Sequence, residues 1–134
     1  MTVKTTQLDQ ESIGNVSLNQ SINELKPAPK ADKNNALFDY YTWEYGTKVA
    51  TNFNDNQIIR IIVYESRFVT SKGIQVGDSK ENIIQAYGNH YYKRVEQGFD
   101  IIGYVDKRLN RTIEFWLTGE NIVYSIRLDK GSME

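Results

Sequence analysis

At 134 residues, with 40% hydrophobic and 25% charged side chains, the chain has the size and composition of one globular domain, or of two small halves sharing a core. Its formal net charge of -1 offers no basic surplus for nucleic acid and no acidic run for a solvating tail. The absence of cysteine excludes disulfides, thiol catalysis and thiolate metal sites, and no stretch approaches the roughly 18 consecutive apolar residues of a membrane span.

Residues 1–12 are polar and rich in Thr and Gln, and read as a flexible N-terminal tail. The remainder, 13–130, reads as a single domain made of two repeats, 13–68 and 73–129, joined by the short hinge Val69-Thr70-Ser71-Lys72. The repeat is visible where Val16-Ser17-Leu18-Asn19-Gln20-Ser21-Ile22-Asn23-Glu24-Leu25 parallels Ile74-Gln75-Val76-Gly77-Asp78-Ser79-Lys80-Glu81-Asn82-Ile83. In the first copy a helix starts at Ser21, but Pro27 and Pro29 follow at once. Proline removes a backbone donor and clashes with the preceding turn, so that helix is expected to last a turn or two. An aromatic strand through Tyr40, Tyr41, Trp43 and Tyr45 comes next, then a turn at Tyr45-Gly46-Thr47-Lys48 and a strand ending at Phe53. A hairpin turn at Asn54-Asp55-Asn56-Gln57 leads into the apolar run Ile58 to Val63.

In the second copy Asp78 is the expected helix cap, with Glu81 completing a capping box. Ile83, Ile84 and Tyr87 supply the apolar stripe, and Gly88 ends the helix with a residue that accepts positive φ. A strand at Ile101 to Val105 turns through Asp106 to Asn110 into Thr112 to Leu117, where Ile113, Phe115 and Leu117 share one face and Trp116 takes the other. After the turn Thr118-Gly119-Glu120-Asn121, alternation places Ile122, Tyr124, Ile126 and Leu128 inward, and Val123, Ser125 and Arg127 outward. The expected fold class is α+β: a pseudo-duplicated unit of one short helix and three antiparallel strands, forming one curved antiparallel sheet with helices on one face.

The segment Ser71-Lys72-Gly73-Ile74-Gln75-Val76-Gly77-Asp78-Ser79-Lys80-Glu81, closing with Tyr87-Gly88, resembles a motif of secreted and envelope-attached proteins of Gram-positive bacteria. More distantly it is similar to the helix-plus-sheet repeat of the beta-lactamase inhibitory protein and of SmpA/OmlA-type envelope lipoproteins. The resemblance covers about 55 residues well and departs from the motif at Gly88-Asn89-His90, where the family often has Gly-x-Pro, and at Asn19, where Gly77 has its counterpart. It implies a non-catalytic module that binds other proteins outside the cell or at its envelope, tethered to a membrane through a removed N-terminal segment. A cytoplasmic location stays open.

Catalytic constellations are hard to assemble from these residues. His90 is the sole histidine, so neither a zinc site nor a Ser-His-Asp triad has the ligands or the nucleophile elbow it needs. No phosphate-cradling glycine motif occurs, and no cofactor is expected. Asp100, Asp106, Glu114 and Glu120 read as a solvated face, although a hydrolase built on Glu114 or Asp100 is the reading an enzyme would require. Basic and aromatic residues interleave at Tyr91-Tyr92-Lys93-Arg94, but the near-neutral charge argues against single-stranded nucleic acid.

Aromatic side chains are the surplus. If Ile58 and Ile62 face the helix, then Ile59, Ile61 and Val63 face away from it, on a helix-free sheet face with Trp116. Trp43, Tyr45, Ile59, Ile61, Val63 and Trp116 are therefore the candidate protein-interface residues. The expected function is a non-enzymatic secreted or envelope-attached protein-binding module. Its alternative is an inhibitor or immunity-type protein that binds one enzyme, and a homodimer would cover the same face.

Overall fold

The computed structural model describes residues 3–32, 39–52 and 55–131. Eight strands form one antiparallel sheet: β1 (Lys30–Ala31), β2 (Asp39–Thr42), β3 (Lys48–Thr51), β4 (Ile58–Val63), β5 (Tyr92–Glu96), β6 (Phe99–Asp106), β7 (Arg111–Leu117) and β8 (Val123–Lys130). Their order is β1-β2-β3-β4-β8-β7-β6-β5. Each half is thus a four-stranded meander rather than a three-stranded one, and the two meet where β4 pairs with β8. The extra strands are β1, two residues beside Pro29, and β5, whose charged sequence Tyr92-Lys93-Arg94-Val95-Glu96 hides any alternation. Phe53 and Asn54, expected at a strand end and turn, lie outside the described residues.

The single α-helix among the described residues, α1 (Lys80–Tyr87), is capped by Ser79, not Asp78. Ser79 accepts from the Asn82 amide, and the Asn82 side chain accepts from the Ser79 amide, so Asn82 closes the capping box in place of Glu81. Asp78 instead accepts from the Gln75 amide at 2.9 Å, which folds the turn leading into the cap. In the first half the corresponding helix is one 3-10 turn, Ile22–Glu24, with a Ser21/Glu24 capping box, cut short ahead of Pro27.

The two helix entries make the same backbone bonds. Asn19 N–H donates to Ile58 O at 2.8 Å, and Gly77 N–H to Val123 O at 2.9 Å. Ile58 N–H returns to Gln20 O, and Val123 N–H to Asp78 O, both at 2.8 Å. The Ser17 amide donates to Gln20 Oε1 as the Gln75 amide does to Asp78 Oδ2. Asn19 and Gly77 both sit at positive φ, 71° and 100°, a region Asn tolerates. The seam between the halves is equally regular: Ile61 pairs with Leu128 and Val63 with Ile126, and adding 65 to 61 and 63 gives 126 and 128. The counterpart of Ile58 is therefore Val123 rather than Ile122, and Val49 stands where Phe115 stands in the other half.

A bulge accompanies each hairpin. The register shifts between Ala50 and Thr51 against β4, and between Trp116 and Leu117 against β8. One extra residue reverses the alternation beyond it. This overturns two expectations. Val123 is buried in the core and Tyr124 and Ile122 are exposed, the reverse of a regular strand. Ile61 and Val63 join Ile58 in the core instead of facing away from the helix.

The core lies on one side of the sheet, where Ile83 and Tyr87 of α1 meet Tyr104, Phe115, Ile113, Ile126 and Leu128. Tyr87 packs with its ring centroid 5.3 Å from that of Tyr104 and 5.2 Å from that of Phe115. The N-terminal segment also belongs here. Leu8, Ile13, Val16, Leu18, Ile22 and Leu25 are all buried in the same cluster. Residues 3–12 are consequently not a free tail: Thr6 N–H donates to Val105 O at 2.7 Å, Leu8 N–H to Asp106 Oδ2 at 2.9 Å, and Tyr87 Oη to Glu11 Oε1 at 2.7 Å. Glu11 is buried, and desolvation pushes its carboxyl up from the ordinary value.

Candidate functional site

The opposite face of the sheet carries no helix among the described residues, yet it is not an apolar plate. Alternation along β4, β7 and β8 presents Arg60, Asp129, Thr112, Ile62, Arg127, Glu114, Trp116 and Ser125 there. Two buried ion pairs organise it. Arg60 grips Asp129 with Nε at 2.8 Å and Nη2 at 2.6 Å, and donates a further bond to Tyr40 Oη at 2.6 Å. Arg94 on β5 reaches across β6 to Glu114, Nε to Oε2 and Nη2 to Oε1, each at 2.8 Å. Glu114 also accepts from Tyr92 Oη and, at 3.3 Å, from Trp116 Nε1. Gly103 of β6 lies between them because a Cβ there would collide with the Tyr92 ring. Glu114 is 0% exposed and Asp106 2%, so neither belongs to a solvated face. Burial pushes the Asp129 carboxyl up against the pull of Arg60, while bonding to Glu114 raises Arg94 further above its ordinary value.

At one end of this face the side chains open into a cleft of about 390 Å³. Trp116 is its floor. Trp116 is only 5% exposed, with the guanidinium groups of Arg127 and Arg94 4.8 and 5.5 Å from its ring and Phe99 5.8 Å away. Tyr64, following β4, and Tyr124, turned outward by the β8 bulge, form the rim at 40% and 46% exposure. Tyr124 stacks on Phe99 at 4.8 Å and meets Tyr64 edge-on at 6.2 Å. Phe99 and Glu96 are set by the two-residue turn Gln97-Gly98, both at positive φ, which is the geometry of a tight hairpin.

The six residues singled out from the sequence do not form one patch. Trp116 is in this cleft. Trp43 and Tyr45 lie elsewhere, packed with Phe68 at 5.6 and 5.9 Å, and Trp43 leans on the core with its indole N–H donating to Pro27 O at 2.8 Å. Tyr45 is exposed beneath the Arg67 guanidinium. Ile59 is buried outside the core cluster, and Ile61 and Val63 are in it. Tyr64, Phe99, Tyr124 and Arg127 were the members missed. Arg127 was legible as an outward residue, but Tyr124 was hidden by the bulge. His90 is exposed, and among the described residues no three His, Asp or Glu side chains cluster as metal ligands.

No helix among the described residues is long and apolar enough to cross a membrane. Comparison with protein-family models, with curated proteins and with solved structures found no match.

Proposed function

We propose that the chain is a non-enzymatic protein-binding module, secreted or attached to the cell envelope, whose contact surface is the cleft formed by Tyr64, Phe99, Trp116, Tyr124 and Arg127. The observation that carries this reading is the pair of exposed tyrosines over a Trp floor stacked with arginine. Tyr, Trp and Arg dominate the energetics of protein interfaces because they bury large areas and keep a polar handle. A rigid floor also favours recognition: Trp116 is held by Glu114, Arg94 and Arg127, so little side-chain freedom is lost on binding.

The matching hydrogen bonds of the two helix entries support an internal duplication of a helix-plus-meander unit, the unit that the second half resembles in sequence. In this reading the halves diverged where they needed to. Ala50 occupies the place of Trp116 in the first half, so the cleft belongs to the second half alone.

The test is co-purification from the source cells with wild-type protein, with a Tyr64→Ala/Tyr124→Ala variant and with Tyr45→Ala. One identified protein should be recovered with wild type and with Tyr45→Ala and be lost with the cleft variant. Equal recovery on all three would rule out the cleft as the contact surface.

A further inference from the structure

The charges on the outer face are equal in number but unequally paired. Across β4, β8, β7 and β5 they run Arg60, Asp129, Arg127, Glu114, Arg94 and, at the rim, Glu96: three guanidiniums and three carboxylates. Arg60 and Arg94 have closed on all three acids. Asp129 Oδ2 is held by Arg60, and both Glu114 oxygens are held by Arg94, with Tyr92 added on Oε2. Arg127, in the middle and directly opposite Glu114 in register, makes no hydrogen bond or ion pair among the described residues. Its Nε is buried without a partner. Its guanidinium carbon lies 4.8 Å from the Trp116 ring centroid, a contact that supports the cation while satisfying none of its N–H groups. Glu96 at the rim is already turned to Arg94 at 3.4 Å.

We propose that the cleft receives a carboxylate carried by an Asp or Glu on a loop of the protein partner, with Arg127 as its counter-charge and Tyr64 and Tyr124 as its walls. This rests on the protein-binding reading and names what the partner must present. A guanidinium is a planar fork of donors, and a carboxylate matches that fork with two parallel bonds. One cation that acts on Asp129 only through space and makes no hydrogen bond among the described residues suits a singly charged group. A phosphate would call for a second cation, and Arg60 and Arg94 are spent. The walls are exposed aromatic rings at 40% and 46%, which suit the aliphatic stem and the neighbouring residues of a polypeptide.

The experiment is selection of a random displayed peptide library on the full chain, in parallel on Arg127→Gln and Tyr124→Ala, followed by fluorescence-polarisation measurement on the peptides enriched by wild type. Circular dichroism establishes that each variant is folded, and Arg127→Lys serves as the milder substitution should Arg127→Gln unfold. The expected result is enrichment of peptides sharing one Asp or Glu. Replacing that residue by its amide, or Arg127 by Gln, should weaken binding about tenfold or more, and raised salt should weaken it as well. Peptides that need Tyr124 but lack a shared acid, or that bind Arg127→Gln as tightly as wild type, would overturn the carboxylate and leave the protein-binding cleft standing. Absence of enrichment, or peptides indifferent to both Tyr124 and Arg127, would overturn both.

Discussion

Replacing Arg94 by Met should destabilise the protein by about 3 kcal/mol, far more than a surface ion pair would predict. The substitution removes both bonds to Glu114 and leaves a carboxylate that is 0% exposed with, among the described residues, only the Tyr92 hydroxyl and the Trp116 indole as donors. Removing one member of a buried pair costs about 3–5 kcal/mol because the remaining charge is stranded. The Arg94 side chain keeps 22% exposure, so water already weakens the pair and the lower end applies. Replacing both members, Arg94→Met with Glu114→Leu, should cost less than Arg94→Met alone, since no buried charge is left and apolar replacements of such pairs are often close to neutral. Urea denaturation followed by circular dichroism, with an unchanged slope, gives each free energy. The double-mutant cycle should return a coupling of about 2 kcal/mol. A cost below about 1 kcal/mol for Arg94→Met, or additivity within about 0.5 kcal/mol, would show that Glu114 does not depend on Arg94 and refute the description of the outer face.

Other consequences follow from the packing and the buried acids. Leu8→Ala should cost about 2–5 kcal/mol, as for a core leucine, and the Leu8 amide should be protected from hydrogen exchange by its bond to Asp106; free exchange and no loss of stability would return residues 3–12 to the status of a tail. Gly103→Ala should push Tyr92 off Glu114 and cost about 1–3 kcal/mol, whereas Gly119→Ala, with open space around it, should cost little; equal melting temperatures would contradict the close approach. Glu11 has its pKa raised by burial in the folded state, so the stabilisation belonging to its protonated form is present below the ordinary glutamate value of 4.5 and is lost as pH rises through the folded value. Glu11→Gln should therefore raise stability at pH 7 relative to wild type and flatten the decline above pH 4.5, measured by urea denaturation across that range; an identical pH profile would mean that Glu11 is not desolvated.

Element type was more legible than register. The apolar stripe of α1, the early stop at Pro27, the turns at Asp106 to Asn110 and Thr118 to Asn121, and the meeting of two halves in one sheet could all be read from local chemistry, whereas the aromatic strand ends at Thr42 and Tyr45 falls in a 3-10 turn. Faces could be read only until a bulge intervened. Ile61, Val63, Val123 and Tyr124 all lie beyond or beside a register shift, and one unpaired residue is enough to exchange inside for outside. Glu114 and Asp106 carry no local sign of burial, because what buries them is a distant partner: Arg94 on β5 for one, the Leu8 amide for the other. The cleft was partly visible in Trp116. Its remaining members come from the end of β4, the β5–β6 turn and β8, which only the fold brings together.

The protein-binding reading is tested most directly by photo-crosslinking. A benzophenone amino acid in place of Tyr124, and separately in place of Val95, which is 71% exposed on the edge strand β5, would be irradiated in the source cells. A discrete covalent adduct from position 124, with none from position 95, is the predicted result. An adduct from position 95 with none from position 124 would move the contact to the edge of the sheet and contradict the assignment of the cleft.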